Sequence, residues 1–160
     1  MRTHIPRWCA ALLAVAVVAW PATSHAIPFL GGKSKITVSV SGAPDCNDCG
    51  TGSAASLKLR IFQVADSTAI RTILNNKTLP WSKQLEAAAA NVLGKPVEEF
   101  VAPGGGKTIE IVKDPKATAV VIEGNFCKPK SADWYVIHPA RKKSVRLEAG
   151  ATGFTLTAGK

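Results

Sequence analysis

The stretch "VAPGGGKTIEIV", Val101 to Val112, sets three glycines ahead of Lys107 and Thr108, the residue types with which a nucleotide-binding loop cradles a phosphate. Such a loop needs Gly, four residues, then Gly-Lys-Ser/Thr, and it lies between a strand and a helix so that backbone N–H groups converge on the anion. Here Val101 stands at the first position, and Lys107 begins "KTIEIV", whose alternation is that of a strand. Pro103 fixes one φ angle and Gly104 to Gly106 tolerate positive ones, so the segment is expected to turn the chain between two strands.

A second constellation is "CNDC", Cys46 to Cys49. A C-x-x-C pair at a helix N-terminus lowers a thiol pKa and favours exchange. This pair falls in a loop between strands, and Asp45 and Asp48 beside it disfavour a thiolate. A structural clip on a long loop is the preferred reading, with Cys46 and Cys49 as the disulfide candidates. Adding Cys127, three cysteines follow the N-terminal segment that holds Cys9. Outside the cytoplasm that odd number implies one disulfide and one thiol, buried or available between chains, and the sequence leaves the pairing open.

Cys46, Cys49, Cys127 and His138 could in principle form a Cys₃His zinc set. If "VVIEGNFC" and "DWYVIHP" make a hairpin, His138 pairs near Ile122, several residues from Cys127. At about 3.3 Å per residue that gap is too long for one ion, so no metal site is expected. His138 is the one histidine beyond the first 26 residues, and its place before Pro139 at a strand end suits packing or surface exposure. Glu98 and Glu99 are adjacent on a strand and point to opposite faces, a poor acid/base pair. Trp81 and Trp134 are expected to pack in the core or at a sheet edge. The chain is therefore read as a non-enzyme with no cofactor and no small-molecule substrate.

The N-terminus "MRTHIPRWCAALLAVAVVAWPATSHA" joins two arginines, a short apolar run and a small-residue ending. It is expected to be a cleaved secretory signal over residues 1–26, because Ala10 to Trp20 is far shorter than the roughly 20 residues of a membrane span. Residues 27–160 are then a single domain. Without Arg2 and Arg7 that domain carries 18 Lys and Arg against 11 Asp and Glu, a net +7. Its densest basic cluster, Arg141 to Lys143, lacks interleaved aromatic residues and reads as a solvated loop, so no nucleic-acid partner is expected.

Strand signals position these groups. "KITVSVSG" alternates Ile36, Val38 and Val40 with polar residues, and "SLKLRIFQV" sets Leu57, Leu59 and Ile61 against Lys58 and Arg60. The additional apolar Phe62 implies a bulge or burial on both faces. Between Asp66 and Leu93 the period becomes helical, giving two short helices. Asp66 can cap the first, Pro80 suits the first turn of the second, and Gly94 with Pro96 is expected to end it. "VEEFV", "KTIEIV", "ATAVVIEGNF", "DWYVIHP", "KSVRLE" and "GFTLTA" bring the strands to eight. The expected fold is mainly β: a two-sheet antiparallel β-sandwich with a short helical insertion after the second strand.

In order and spacing these segments resemble the TssJ outer-membrane lipoproteins of the type VI secretion machine. The likeness is carried by "ITVSVSG", the loop around Asn47 and Gly50, "SLKLRIFQV", "VLGKPVEEFVAPGG", "ATAVVIEGNFCKPKSADWYVI" with Phe126 and Trp134, and "KSVRLEAGATGFTLTAG". The resemblance implies a transthyretin-like sandwich at the inner face of the outer membrane. It also implies an assembly role in the trans-envelope membrane complex, through the periplasmic domain of the inner-membrane TssM-type subunit. In the family the loop between the first two strands contributes to that contact, which here implicates Asp45, Asn47, Asp48 and Gly50. Deleting Asp45 to Gly50 is then expected to abolish binding and leave the thermal transition nearly unchanged. The sequence departs from the family in its N-terminus: members begin, when mature, with a lipidated cysteine, whereas Cys9 precedes the apolar run and "SHAIPF" is an ordinary cleavage site. The alternatives are a periplasmic carrier or chaperone of the same fold class, and a thiol enzyme using "CNDC".

Overall fold

Alternation of Ile36, Val38 and Val40 with polar residues makes the first strand, β1 (Lys35–Gly42), and all three apolar side chains are buried. The computed structural model describes residues 34–157 apart from Thr51, Lys77 and Ser131. The expected signal over residues 1–26 and its cleavage point lie outside the described residues.

The chain continues through β2 (Leu57–Val64), α1 (Ser67–Leu74), α2 (Trp81–Ala87), a 3₁₀ turn (Ala89–Asn91) and β3 (Val92–Val101). Five further strands follow: β4 (Gly106–Val112), β5 (Ala119–Gly124), β6 (Tyr135–Pro139), β7 (Ser144–Ala149) and β8 (Phe154–Leu156). They form two four-stranded sheets, ordered β4-β1-β7-β8 and β3-β2-β5-β6. Inward side chains of both sheets, among them Val38, Leu59, Ile61, Ile122 and Leu147, fill the space between them. The fold is thus the expected mainly β sandwich, with one departure from antiparallel order. β1 and β7 run parallel, from Thr37 opposite Ser144 to Gly42 opposite Ala149. A parallel pair cannot be closed by a hairpin, and here nearly the whole domain intervenes between the two strands.

The helical insertion covers the outer face of the second sheet. Asp66 caps α1 by accepting from the backbone N–H groups of Thr68 (2.8 Å) and Ala69 (3.2 Å). Ile70 and Leu74 then pack on Phe62, Val64 and Val121. Phe62 therefore meets both expectations: it is buried beneath the helices, and the β2–β3 register shifts between Ile61 and Gln63.

Pro80 stands at the N-cap of α2, one residue before its first turn. The end of α2 differs from the sequence reading. The α-helix stops at Ala87, and Val92 already pairs with Val64 in the second sheet. Cross-strand pairing overrides the helical period there. Gly94, at φ +72°, and Pro96 sit inside β3, an edge strand where a missing N–H leaves no ladder bond broken.

Arg60 was expected on a polar face, yet it is 3% exposed beneath α2. It lies opposite Glu123 in the β2–β5 register and donates through Nε to Oε2 at 2.7 Å, with Nη2 on the same oxygen. Nη2 also donates to the Trp81 carbonyl at 3.0 Å, and the guanidinium carbon lies 4.0 Å from the centre of a Trp81 ring. A buried charge needs such partners, and this one moors α2 to the sheet.

Candidate functional site

Every loop that joins an odd-numbered strand to the next strand gathers at one end of the sandwich, and backbone hydrogen bonds knit these loops together. The glycine-rich segment is one of them, and it turns the chain from the second sheet into the first. Gly104 N–H donates to the Gly42 carbonyl (3.0 Å), Gly105 N–H to that of Ala102 (2.9 Å), and Gly42 N–H to that of Gly105 (2.8 Å). Lys107 pairs with Glu99 at 3.1 Å. The amides and the ammonium that a phosphate would need are thus engaged within the protein.

The β1–β2 loop is held more tightly still. Asn47, at φ +52°, adopts the left-handed conformation that asparagine tolerates better than most side chains. It is buried, its Nδ2 donates to the Ser56 carbonyl (3.1 Å), and its Oδ1 accepts from Cys127 N–H (2.8 Å). Asn47 N–H donates to the Gly150 carbonyl (3.0 Å), and Gly50 N–H donates to Asp48 Oδ1 (2.7 Å). From the β5–β6 loop, Lys130 N–H reaches the Thr152 carbonyl (3.0 Å), and Phe154 N–H reaches that of Asp133 (2.7 Å).

The disulfide is not the local clip expected from "CNDC". Cys49 bonds to Cys127, 78 positions away, and Cys46 is a free, fully buried thiol. The left-handed turn at Asn47 accounts for the difference. Cys46 before it packs into the core, and Cys49 after it meets the β5–β6 loop. Burial, with Asp45 adding to it, pushes the Cys46 thiol above its ordinary pKa, opposite to what an exchange nucleophile needs. One disulfide and one buried thiol agree with the cysteine count.

Of the residues expected to touch a partner, Asp45 and Gly50 are exposed, Asp48 is half-buried and Asn47 is buried. Asn47 therefore positions the loop instead of presenting a surface. Cys127 and the exposed residues Lys128 to Lys130 are brought beside them, a placement the sequence did not indicate beyond the odd cysteine. Deleting Asp45 to Gly50 would remove the disulfide, a core side chain and the Asn47 bonds, so the expectation of an unchanged thermal transition is corrected.

The other candidates fall elsewhere. His138 pairs with Val120, two residues from Ile122 on the side away from Cys127, and is buried. Burial lowers its pKa, opposed by a hydrogen bond with the Lys142 backbone. Glu98 bonds to Lys58 (2.8 Å) while Glu99 bonds to Lys107, on opposite faces of β3. Trp134 packs edge-on against Tyr135 at 4.9 Å. No group of three or more His, Cys, Asp or Glu side chains suited to a metal occurs among the described residues.

Residues 34–157 match the family model described as type VI secretion lipoprotein, VasD, EvfM, TssJ. No curated protein matches the sequence significantly. Among solved structures, the crystal structure of the T6SS lipoprotein TssJ1 from Pseudomonas aeruginosa is 18% identical with a TM-score of 0.65, covering 81% of this chain and 98% of that one. A chain of a structure described as a type VI membrane complex is 16% identical with a TM-score of 0.69, over 79% and 100%. A chain of the structure described as the T6SS protein TssM C-terminal domain (869-1107) from EAEC is 15% identical with a TM-score of 0.65, over 78% and 98%. At these identities the likeness is one of fold.

Proposed function

The chain belongs to the type VI secretion lipoprotein family, and on that premise we propose that it is a non-enzymatic assembly subunit of the secretion membrane complex. It acts in the periplasm, at the inner face of the outer membrane, and binds the periplasmic domain of a TssM-type inner-membrane subunit. Similarity to chains in structures named for a type VI membrane complex and for a TssM C-terminal domain supports that choice of partner.

The observation that carries the reading is the knitted loop end. A loop fixed by a disulfide and by Asn47 loses little entropy when a partner docks, and a rigid sandwich presents it. The contact surface is composite: Asp45, Asp48 and Gly50 from one loop, Lys128 to Lys130 from the loop bonded to it. Opposite charges on the two halves favour a partner with a matching charge pattern.

A binding titration of residues 27–160 against the periplasmic domain of the same organism's TssM-type subunit tests this, under oxidising conditions. Saturable binding is expected. Asp45→Lys and Lys128→Glu should each weaken it about tenfold or more with an unchanged melting temperature. Unchanged affinity in both variants would remove the contact from these loops. No binding by folded protein would overturn the assembly role and favour a periplasmic carrier of the same fold.

A further inference from the structure

The two flanks of the sandwich are closed differently. On one, where β3 and β4 are the edge strands, polar contacts join the sheets: Glu99 pairs with Lys107 (3.1 Å), Gln63 Nε2 donates to the Val112 carbonyl (2.9 Å), and Asp114 N–H donates to Gln63 Oε1 (2.8 Å). On the other, where β6 and β8 are the edges, Phe154 N–H donates to the Asp133 carbonyl (2.7 Å) at the loop end. Beyond that point a groove of about 470 Å³ opens, lined from β6, β7, β8 and the turn between β6 and β7.

The groove exposes side chains that belong to the layer between the sheets. Leu156 stands opposite Leu147 in the β7–β8 register, so both leave the first sheet on its inner face. Leu147 is 1% exposed in the core, whereas Leu156 is 65% exposed. Val136 and Ile137, both half-buried, form the facing wall. The stretch from Val136 to Pro139 runs about 10 Å at roughly 3.3 Å per residue, long enough for several methylenes.

Two cations rim this apolar surface. Lys142 and Arg146 line the groove, are exposed, and form no ion pair with another described residue. Lys142 sits in the basic turn Arg141 to Lys143, where its N–H donates to the Pro139 carbonyl (3.0 Å). That turn lies at the end of the sandwich opposite the loop end, and the β4–β5 connection adds Lys113 and Lys116 there against Asp114.

We propose that the groove takes an acyl chain of an anionic phospholipid in a bilayer, with the lipid phosphate on Lys142 and Arg146. An uncharged lipid would leave the cations unused, and a free phosphate would leave Leu156 and Val136 in water. A peptide strand finds little ladder to join, because β8 has three residues and Pro139 lacks an N–H. Apolar burial and attraction to anionic lipid together give a reversible grip on a membrane surface. The choice of a membrane lipid rests on the reading that the chain works at the inner face of the outer membrane. With the basic end on the bilayer, the loop end points away from it, open to a partner.

Flotation of residues 27–160 with vesicles tests the grip, using phosphatidylcholine alone and with phosphatidylglycerol added. Binding is expected only with phosphatidylglycerol, and inorganic phosphate at the same ionic strength as a chloride control should not displace it. Lys142→Gln should weaken binding about fivefold through the lost charge, and Leu156→Ser about fivefold or more through the lost apolar contact, both with unchanged melting temperatures. Methyl NMR with short-chain phosphatidylglycerol below its micelle concentration should shift Leu156, Val136 and Val145. Binding that falls in Lys142→Gln but stays whole in Leu156→Ser would mean adsorption by charge alone and overturn the proposal. Displacement by phosphate, unchanged binding in both variants, or no binding to phosphatidylglycerol would overturn it as well. Titration against the TssM-type subunit reads the loop end and needs no lipid, so the assembly role and the lipid grip can each fail without the other.

Discussion

Breaking the Cys49–Cys127 bond should lower stability far more than a local clip could. The bond spans 78 positions, and the loop-closure entropy it removes from the unfolded chain is worth about 4 to 5 kcal/mol at 25 °C. A Cys46–Cys49 bond would close a loop of only a few residues and contribute roughly half of that. For a domain of this size, 4 to 5 kcal/mol lowers the melting temperature by roughly 10 to 20 °C. The perturbation is Cys49→Ser with Cys127→Ser in a Cys9→Ser background, followed by circular dichroism with and without reductant. The parent should lose its stability on reduction, and the double variant should be low and indifferent to reductant. Cys46→Ser should leave the sensitivity to reductant intact, and the Cys46 thiol should react with a thiol reagent only on unfolding, because it is fully buried. Oxidised and reduced protein melting within about 2 °C of each other would refute the reasoning, as would peptide mapping that joins Cys46 to Cys49.

Burial pushes the Glu123 carboxyl up to about 7 against the opposing pull of Arg60, so the folded chain holds this proton more tightly than the unfolded chain does. Its contribution to stability therefore falls as pH rises from about 4.5 to about 7, and the difference in urea-unfolding free energy between the parent and Glu123→Gln should fall with it; a difference that stays flat would contradict this. Asn47→Gly keeps the left-handed backbone but loses two side-chain bonds, at about 1–3 kcal/mol. Asn47→Ala adds a backbone penalty of about 1–2 kcal/mol, so denaturation should rank alanine below glycine, and the reverse order would place the role of Asn47 elsewhere. At Gly42 a Cβ would overlap the Ala102 carbonyl oxygen, so Gly42→Ala should cost more than about 1 kcal/mol by urea midpoint, and a neutral change would show that the β3–β4 turn yields freely.

Strands whose inner face alternates were legible from the sequence, as Ile36, Val38 and Val40 show. Where two layers bury one strand, alternation no longer separates inside from outside. Arg60 reads as a solvent residue until β2 is set against β5, which places Glu123 opposite, and until α2 is laid over both. The end of α2 was misread for a related reason: Val92 fits a helical period, and only its pairing with Val64 makes it a strand residue. In the loop end, Asn47 and Gly50 were visible as residues of the loop between the first two strands, but the partner of Cys49 lay 78 positions away, where no spacing rule reaches. A cavity of about 370 Å³ beneath the helical insertion was invisible for the same cause. Its lining runs from Leu74 to Trp134 and converges only when the insertion folds back on the sheet.

The parallel pairing of β1 with β7 also sets a timetable. A chain made from its N-terminus presents β1 first, and β4 can join one of its edges once residues 106–112 have emerged. The other edge stays open until residues 144–149 arrive, so the first sheet cannot close before those residues, more than 100 positions after β1, are present. Pairing across such separations folds slowly, and an unfilled strand edge is a template for aggregation meanwhile. Cys127 emerges before β7, so the bond to Cys49 can restrain the half-built sandwich while β1 waits. Early formation of this bond therefore guards yield as well as the stability of the finished protein.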